Sequence, residues 1–117
     1  MEIKEEIRGD VAVLHLSGKM MGGPDTMKLH EHVKGLIADG LRKLVIDLAD
    51  VKWLNSSGMG ALIMCLTSVR NARGQLKLSA ITEKVESLLM ITHLLTVFET
   101  AETAERAVGS FNNVSMQ

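Results

Sequence analysis

Leu44-Val-Ile-Asp-Leu48 and Asn55-Ser-Ser-Gly58, separated by Ala49 to Leu54, decide the fold. The first is short and almost continuously apolar, the pattern of a strand covered on both faces by helices, and it predicts the centre of a sheet. The second is a cluster of capping residues, and behind it Met59, Leu62, Ile63, Leu66 and Val69 recur at helical spacing. Arg70 to Gly74 supplies the basic residues and the glycine that end a helix. A buried strand running straight into a capped helix is one half of a β-α-β unit.

The flanking segments extend this pattern. Ile3–Ile7 and Val11–Leu16, divided by Arg8-Gly9-Asp10, predict an antiparallel hairpin. Ser17 to Pro24 reads as a glycine-rich loop, after which Asp25 or Thr26 is expected to cap a helix carrying Leu29, Val33, Leu36 and Ile37 and ending at Asp39-Gly40. Gln75–Ala80 alternates as a strand, and Thr82 caps a helix through about Thr92 with Val85, Leu88 and Leu89 inward. Leu95–Phe98 reads as the last strand, Thr100 as the cap of a final helix with Ala104, Ala107, Val108 and Phe111, and 112–117 as a flexible tail. The order β-β-α-β-α-β-α-β-α implies an α/β domain over 1–111, with a mixed, mostly parallel sheet, an N-terminal antiparallel hairpin and helices packed around it. Functional groups of such sheets collect beyond the strand C-terminal ends, here in Gly18–Asp25 and Ala49–Ser57. If the second and third strands are neighbours, these two loops lie side by side.

Composition removes several function classes. The 117 residues carry 13 basic and 14 acidic side chains, so no cationic stripe is available for phosphate backbones, and the aromatics are limited to Trp53, Phe98 and Phe111. Direct nucleic-acid binding is not expected. The apolar runs are too short for a membrane span, and acids stand where a signal peptide has a basic start, so a cytoplasmic protein is expected. Cys65, the single cysteine, lies in an apolar stretch and reads as a small core residue. The near-neutral charge would not oppose self-association, and both a monomer and a weak dimer suit it.

Motifs of chemistry are incomplete. His30 and His32 are two apart on a helix and do not face each other, while His15 and His93 fall in separate elements, so no metal site is predicted. Gly18-Lys19 is followed by Met20 where a phosphate loop needs Ser or Thr, and Gly58-Met-Gly60 lacks a third glycine, so no cofactor is implied. Leu54 and Asn55 stand where a nucleophile elbow has its glycines, which leaves a small serine hydrolase as an alternative without a motif. Asn55-Ser56-Ser57-Gly58 remains: one serine suffices to cap a helix, so a second hydroxyl and a small-residue surface are left to meet a partner backbone or a kinase.

Asp47 to Leu62, with Asn-Ser-Ser-Gly-Met-Gly at its centre, resembles the signature of STAS domains, specifically the stand-alone bacterial anti-sigma factor antagonists. The element order, the Leu-Ser-Gly18 end of the second strand and the length suit that family over about residues 1–111. The resemblance implies a non-enzymatic binding module. Its unphosphorylated form would bind an anti-sigma factor serine kinase and free a sigma factor, phosphorylation of Ser56 (alternatively Ser57) would prevent binding, and a serine phosphatase would reset it. Ser57 would shape the site and cap the helix. The partner surface would comprise Lys19, Met20, Met21, Asn55, Ser56, Ser57, Gly58 and Met59, with Met59 equally suited to core packing. Two departures stand out: Asn55 where the family usually has an acid, and Lys19-Met20-Met21 where it commonly has Glu-Leu-Asp. They make a divergent, unphosphorylated STAS scaffold or signalling-complex subunit the alternative.

Overall fold

The computed structural model describes residues 1–83, 85–87 and 98–113, with the side chains of 112 and 113 left aside. Its described elements are β1 (Glu2–Arg8), β2 (Val11–Met20), α1 (Pro24–Ala38), β3 (Lys43–Leu54), α2 (Ser56–Asn71), β4 (Gln75–Ser79), β5 (Glu99–Ala101) and α3 (Ala104–Asn113). The strands form one sheet in the order β1-β2-β3-β4-β5, with β1 antiparallel to β2 and every other pair parallel. The expected mixed sheet, hairpin and central strand are all present.

Side-chain alternation divides the sheet between two helical layers. Ala12, Leu14 and Leu16 of β2, Leu44, Ile46 and Leu48 of β3 and Leu76 and Leu78 of β4 join Leu29, Val33, Leu62, Leu66 and Val69 of α1 and α2 in the larger core. Val11, Val13 and Val45 point the other way and meet Ala107 and Phe111 of α3. Lys77 also points under α3, where Glu99 Oε2 at 3.2 Å, the Ser110 hydroxyl and the Phe111 ring at 4.5 Å satisfy its ammonium. Cys65 is fully buried, and burial pushes its thiol pKa up to about 12, which suits an unreactive core residue.

Several boundaries differ from the sequence reading, each for a tertiary reason. β2 and β3 run on to Met20 and Leu54 because their ends pair with each other, Ser17 with Asp50, Gly18 with Val51, Lys19 with Trp53 and Met20 with Leu54. The two expected loops do lie side by side, but as an extension of the parallel ladder. Neither Asp25 nor Thr26 caps α1: Gly23 is the N-cap, Pro24 occupies the first turn, and Asp25 lies 3.8 Å from the Met1 amine. The last strand falls at Glu99–Ala101, so Thr100 lies within it, and α3 is capped instead by Thr103, whose hydroxyl accepts from the Arg106 N–H at 3.1 Å. Thr82 caps as expected, accepting from Val85 N–H at 3.4 Å. Residues 112 and 113, expected in the flexible tail, are the last two of α3, while Leu88, Leu89, Leu95 and 114–117 lie outside the described residues.

A polar network crosses the sheet on the α3 side. His15 hydrogen-bonds Asp47 Oδ2 through Nδ1 at 2.7 Å and Glu6 Oε1 through Nε2 at 2.9 Å, and the Ser79 hydroxyl donates to Asp47 Oδ1 at 3.2 Å. Thr103, the cap of α3, with Glu105 of α3 and Arg8 of β1 completes the cleft around the ring, and Arg8 also pairs with Glu6 at 3.0 Å. His15 thus has two partners, both carboxylates, from the strands on either side. Burial works to lower its pKa, but the bonds and charges of Glu6 and Asp47 outweigh burial and raise it. A histidine raised above its unfolded value of about 6.5 stabilises the fold fully below that pH, and the contribution is lost as pH climbs through the folded pKa. Glu6, lowered chiefly by its bond to His15, loses its own contribution only in the acid range. The urea midpoint is therefore expected to fall as the solution passes from about pH 6 to about pH 8, and His15→Gln is expected to flatten that slope. An unchanged slope in the variant would assign the pH dependence to other groups.

Candidate functional site

The sheet's C-terminal edge ends where β3 turns into α2. Asn55 adopts an extended backbone, φ −108° and ψ −176°, and its Oδ1 accepts from the Gly58 N–H at 2.8 Å, so it is the N-cap. Ser57 was expected in that role and does not hold it. Ser56 and Ser57 are the first two helical residues, and both side chains are exposed. Asn55 commits the amides of Gly58 and, through its own carbonyl at 2.9 Å, Met59. The N–H groups of the opening residues of a helix have no partner within the helix, and the first turn of α2 contains no acid to compensate its dipole. An anion carried by Ser56 would thus be accommodated by the helix that bears it.

Close packing holds this turn against β2. A Cβ on Gly58 would collide with the Met20 carbonyl and the Leu54 side chain, so only glycine permits α2 to start so near the end of the sheet. Gly22, at φ +89°, lies so close to Ser57 that a Cβ there would strike the serine's own Cβ. The chain leaving β2 thus folds over the start of α2.

The expected partner residues separate into two sets. Lys19, Met21, Ser56 and Ser57 are exposed and Asn55 is half-buried. Met20 and Met59 are 1% and 2% exposed and belong to the core, and Gly58 is buried beneath the Met20 carbonyl. Met20 turns inward because it is the last residue of β2, where successive side chains take opposite faces, and its neighbour Met21 emerges at 45% exposure. Trp53 is 42% exposed on β3, paired in register with Lys19, and sequence reasoning had not assigned it to the surface. The signal was available in the change from the near-continuous apolar run Leu44-Val-Ile-Asp-Leu48 to the alternation Asp50-Val-Lys52, in which Asp50 and Lys52 are exposed and Val51 is buried.

Among the described residues, the histidines do not serve these serines. His15 is held by carboxylates, His30 bonds the Ser68 hydroxyl at 2.7 Å, and His32 reaches Glu5 at 2.8 Å. In the His15 network the Ser79 hydroxyl donates to the acid and not to the imidazole, which is not the order of a hydrolytic triad. His93 lies outside the described residues. Among the described residues, no group of three or more His, Cys, Asp or Glu is placed to hold a metal ion, and no helix is long and apolar enough to cross a membrane.

Comparison with known proteins gives a consistent set. The STAS domain profile matches residues 2–107. BtrV of Bordetella bronchiseptica, an anti-sigma factor antagonist by name, is 24% identical over 84 residues, 72% of each chain. The crystal structure of an anti-sigma factor antagonist from Thermotoga maritima superposes with a TM-score of 0.81 at 24% identity, covering 92% of both chains. The phosphorylated form of the Bacillus cell fate determinant SpoIIAA gives 0.73 at 15% identity, over 94% of this chain and 99% of that one. At these identities the superpositions establish the fold.

Proposed function

We propose, because the chain belongs to the STAS domain family, that it is an anti-sigma factor antagonist switched by phosphorylation at Ser56. The unphosphorylated protein binds an anti-sigma factor serine kinase and thereby releases a sigma factor; phosphate on Ser56 ends that binding and a serine phosphatase restores it. The module, residues 1–111, acts in the cytoplasm by occupying a partner and carries out no catalysis of its own. The observation that carries this reading is the exposed Ser56 hydroxyl at the first position of α2, beside an N-cap that leaves the opening amides of the helix available. Exposed Lys19 and Met21 supply the adjoining contact surface, and Met21, flexible and polarisable, suits an adaptable interface.

Phosphate adds about 1.5 to 2 negative charges, which a helix N-terminus stabilises by about 1 kcal/mol, so the domain tolerates the modification. Incubation with ATP and the anti-sigma factor kinase recovered from the same cells is expected to add one phosphate, seen by intact mass, to the wild-type chain and to Ser57→Ala, and none to Ser56→Ala. Equal labelling of Ser56→Ala would overturn the assignment. Asn55 in place of the family's usual acid favours a second reading, a STAS scaffold that is never phosphorylated. Stable kinase binding with no transfer to either serine would select it.

A further inference from the structure

We propose that Asn55 is the positioning residue of the Ser56 switch, its carboxamide latching the Met21–Gly23 segment onto the start of α2 so that Ser56 and Met21 are presented as one fixed surface. The inference rests on the phosphorylation reading above and concerns how this chain presents the site. Two neighbours make opposite demands on the side chain of residue 55. The Gly58 N–H, 2.8 Å away, needs an acceptor, and the Met21 carbonyl, 3.1 Å away, needs a donor. A carboxamide meets both, and only one of its two orientations does so, which fixes the assignment of its oxygen and nitrogen. An aspartate would keep the cap but set a carboxylate oxygen against the Met21 carbonyl, and a serine would cap and leave that carbonyl unserved.

The latch acts on a segment built largely of glycine. Gly22 and Gly23 follow Met21 with φ of +89° and +62°, a left-handed pair drawn from the most permissive residue type. Against this freedom, three successive residues at the end of β2 and beyond it, Met20, Met21 and Gly22, rest on Asn55 and Ser57. The Met20 carbonyl accepts from the Asn55 N–H at 3.2 Å, the Met21 carbonyl accepts from the Asn55 side chain, and Gly22 packs on Ser57. The replacement of an acid by an amide thus exchanges a charge for a donor, and with it ties the exposed Met21 to the turn that carries Ser56.

Asn55→Asp and Asn55→Ser both preserve a capping oxygen, so the fold is retained while the latch is removed. Heteronuclear NOE values of Met21, Gly22 and Gly23 are expected to fall in both variants, and the hydrogen-bonded Asn55 side-chain NH2 signal of the wild type identifies the latch itself. In the full chain recovered from its own cells under phosphatase inhibition, phosphate occupancy of Ser56 is expected to drop roughly fivefold in both variants, equivalent to about 1 kcal/mol at 1.4 kcal/mol per tenfold. Unchanged NOE values in both variants overturn the latch. Loosened segments with undiminished Ser56 occupancy overturn the positioning role alone. Absence of phosphate from the wild-type chain overturns the phosphorylation reading and the positioning role with it.

Discussion

Phosphorylation of Ser56 is expected to weaken binding to the anti-sigma factor by roughly three orders of magnitude while leaving the fold unchanged, since an unpaired dianion buried in an interface costs several kcal/mol and 4 kcal/mol corresponds to that factor. The asymmetry follows from position. Within the free domain Ser56 faces solvent at the positive end of α2, where added negative charge is favourable. Across an interface the same charge loses its water and meets whatever the partner presents. Titration calorimetry of the two forms measures the factor, and Trp53 reports the site independently: it is the only Trp, no Tyr accompanies it, and its side chain is 42% exposed two residues before the N-cap. Its emission is expected to shift on complex formation and to return to the free value when Ser56 is phosphorylated. Confirmed binding with a silent Trp53 would place the interface on another face, and equal affinity of both forms would remove the switch.

Gly58→Ala is expected to destabilise the protein by about 3 kcal/mol, the upper range for forcing a carbon into a packed interior, and to lower the Tm on the order of 10 °C. The added Cβ would strike the Met20 carbonyl and the Leu54 side chain. The Met20 carbonyl is already engaged by the Asn55 N–H, so it cannot retreat without opening the turn. Gly60, two residues on, provides the internal control. Nothing stands within 4 Å of where its Cβ would be, and Gly60→Ala is expected to add up to about 1 kcal/mol through helix propensity. Urea denaturation of both variants decides the matter. Equal stability of Gly58→Ala and wild type would mean that α2 does not start where it is placed.

Opposite outcomes from two glycines in one helix show where the chain's local sequence stops being informative. Asn-Ser-Ser-Gly-Met-Gly announces a helix start and small residues, and in isolation Gly58 and Gly60 are alike. The end of β2, 38 residues before Gly58 at Met20, makes one indispensable and leaves the other optional.

The same division runs through the whole molecule. The central strand Leu44–Leu48, the stripe of α2, the hairpin and the Asn55–Gly58 turn were legible because periodicity, capping and turn chemistry act between near neighbours in the chain. Those features also placed Ser56 at the start of a helix and pointed to the family. The burial of Met20 beside the exposure of Met21 depended on how far β2 would pair with β3. The second partner of His15, the donor bond from Asn55 to Met21 and the approach of Gly22 to Ser57 each join residues at least nine positions apart and up to 35. Such contacts are created by the closing of the sheet and the packing of α2 on its edge. The sequence by itself thus determined the hairpin, the central strand and the helix start at which Ser56 stands; tertiary structure alone decided which neighbours face solvent and what holds them there, because burial is a property of the assembled layers.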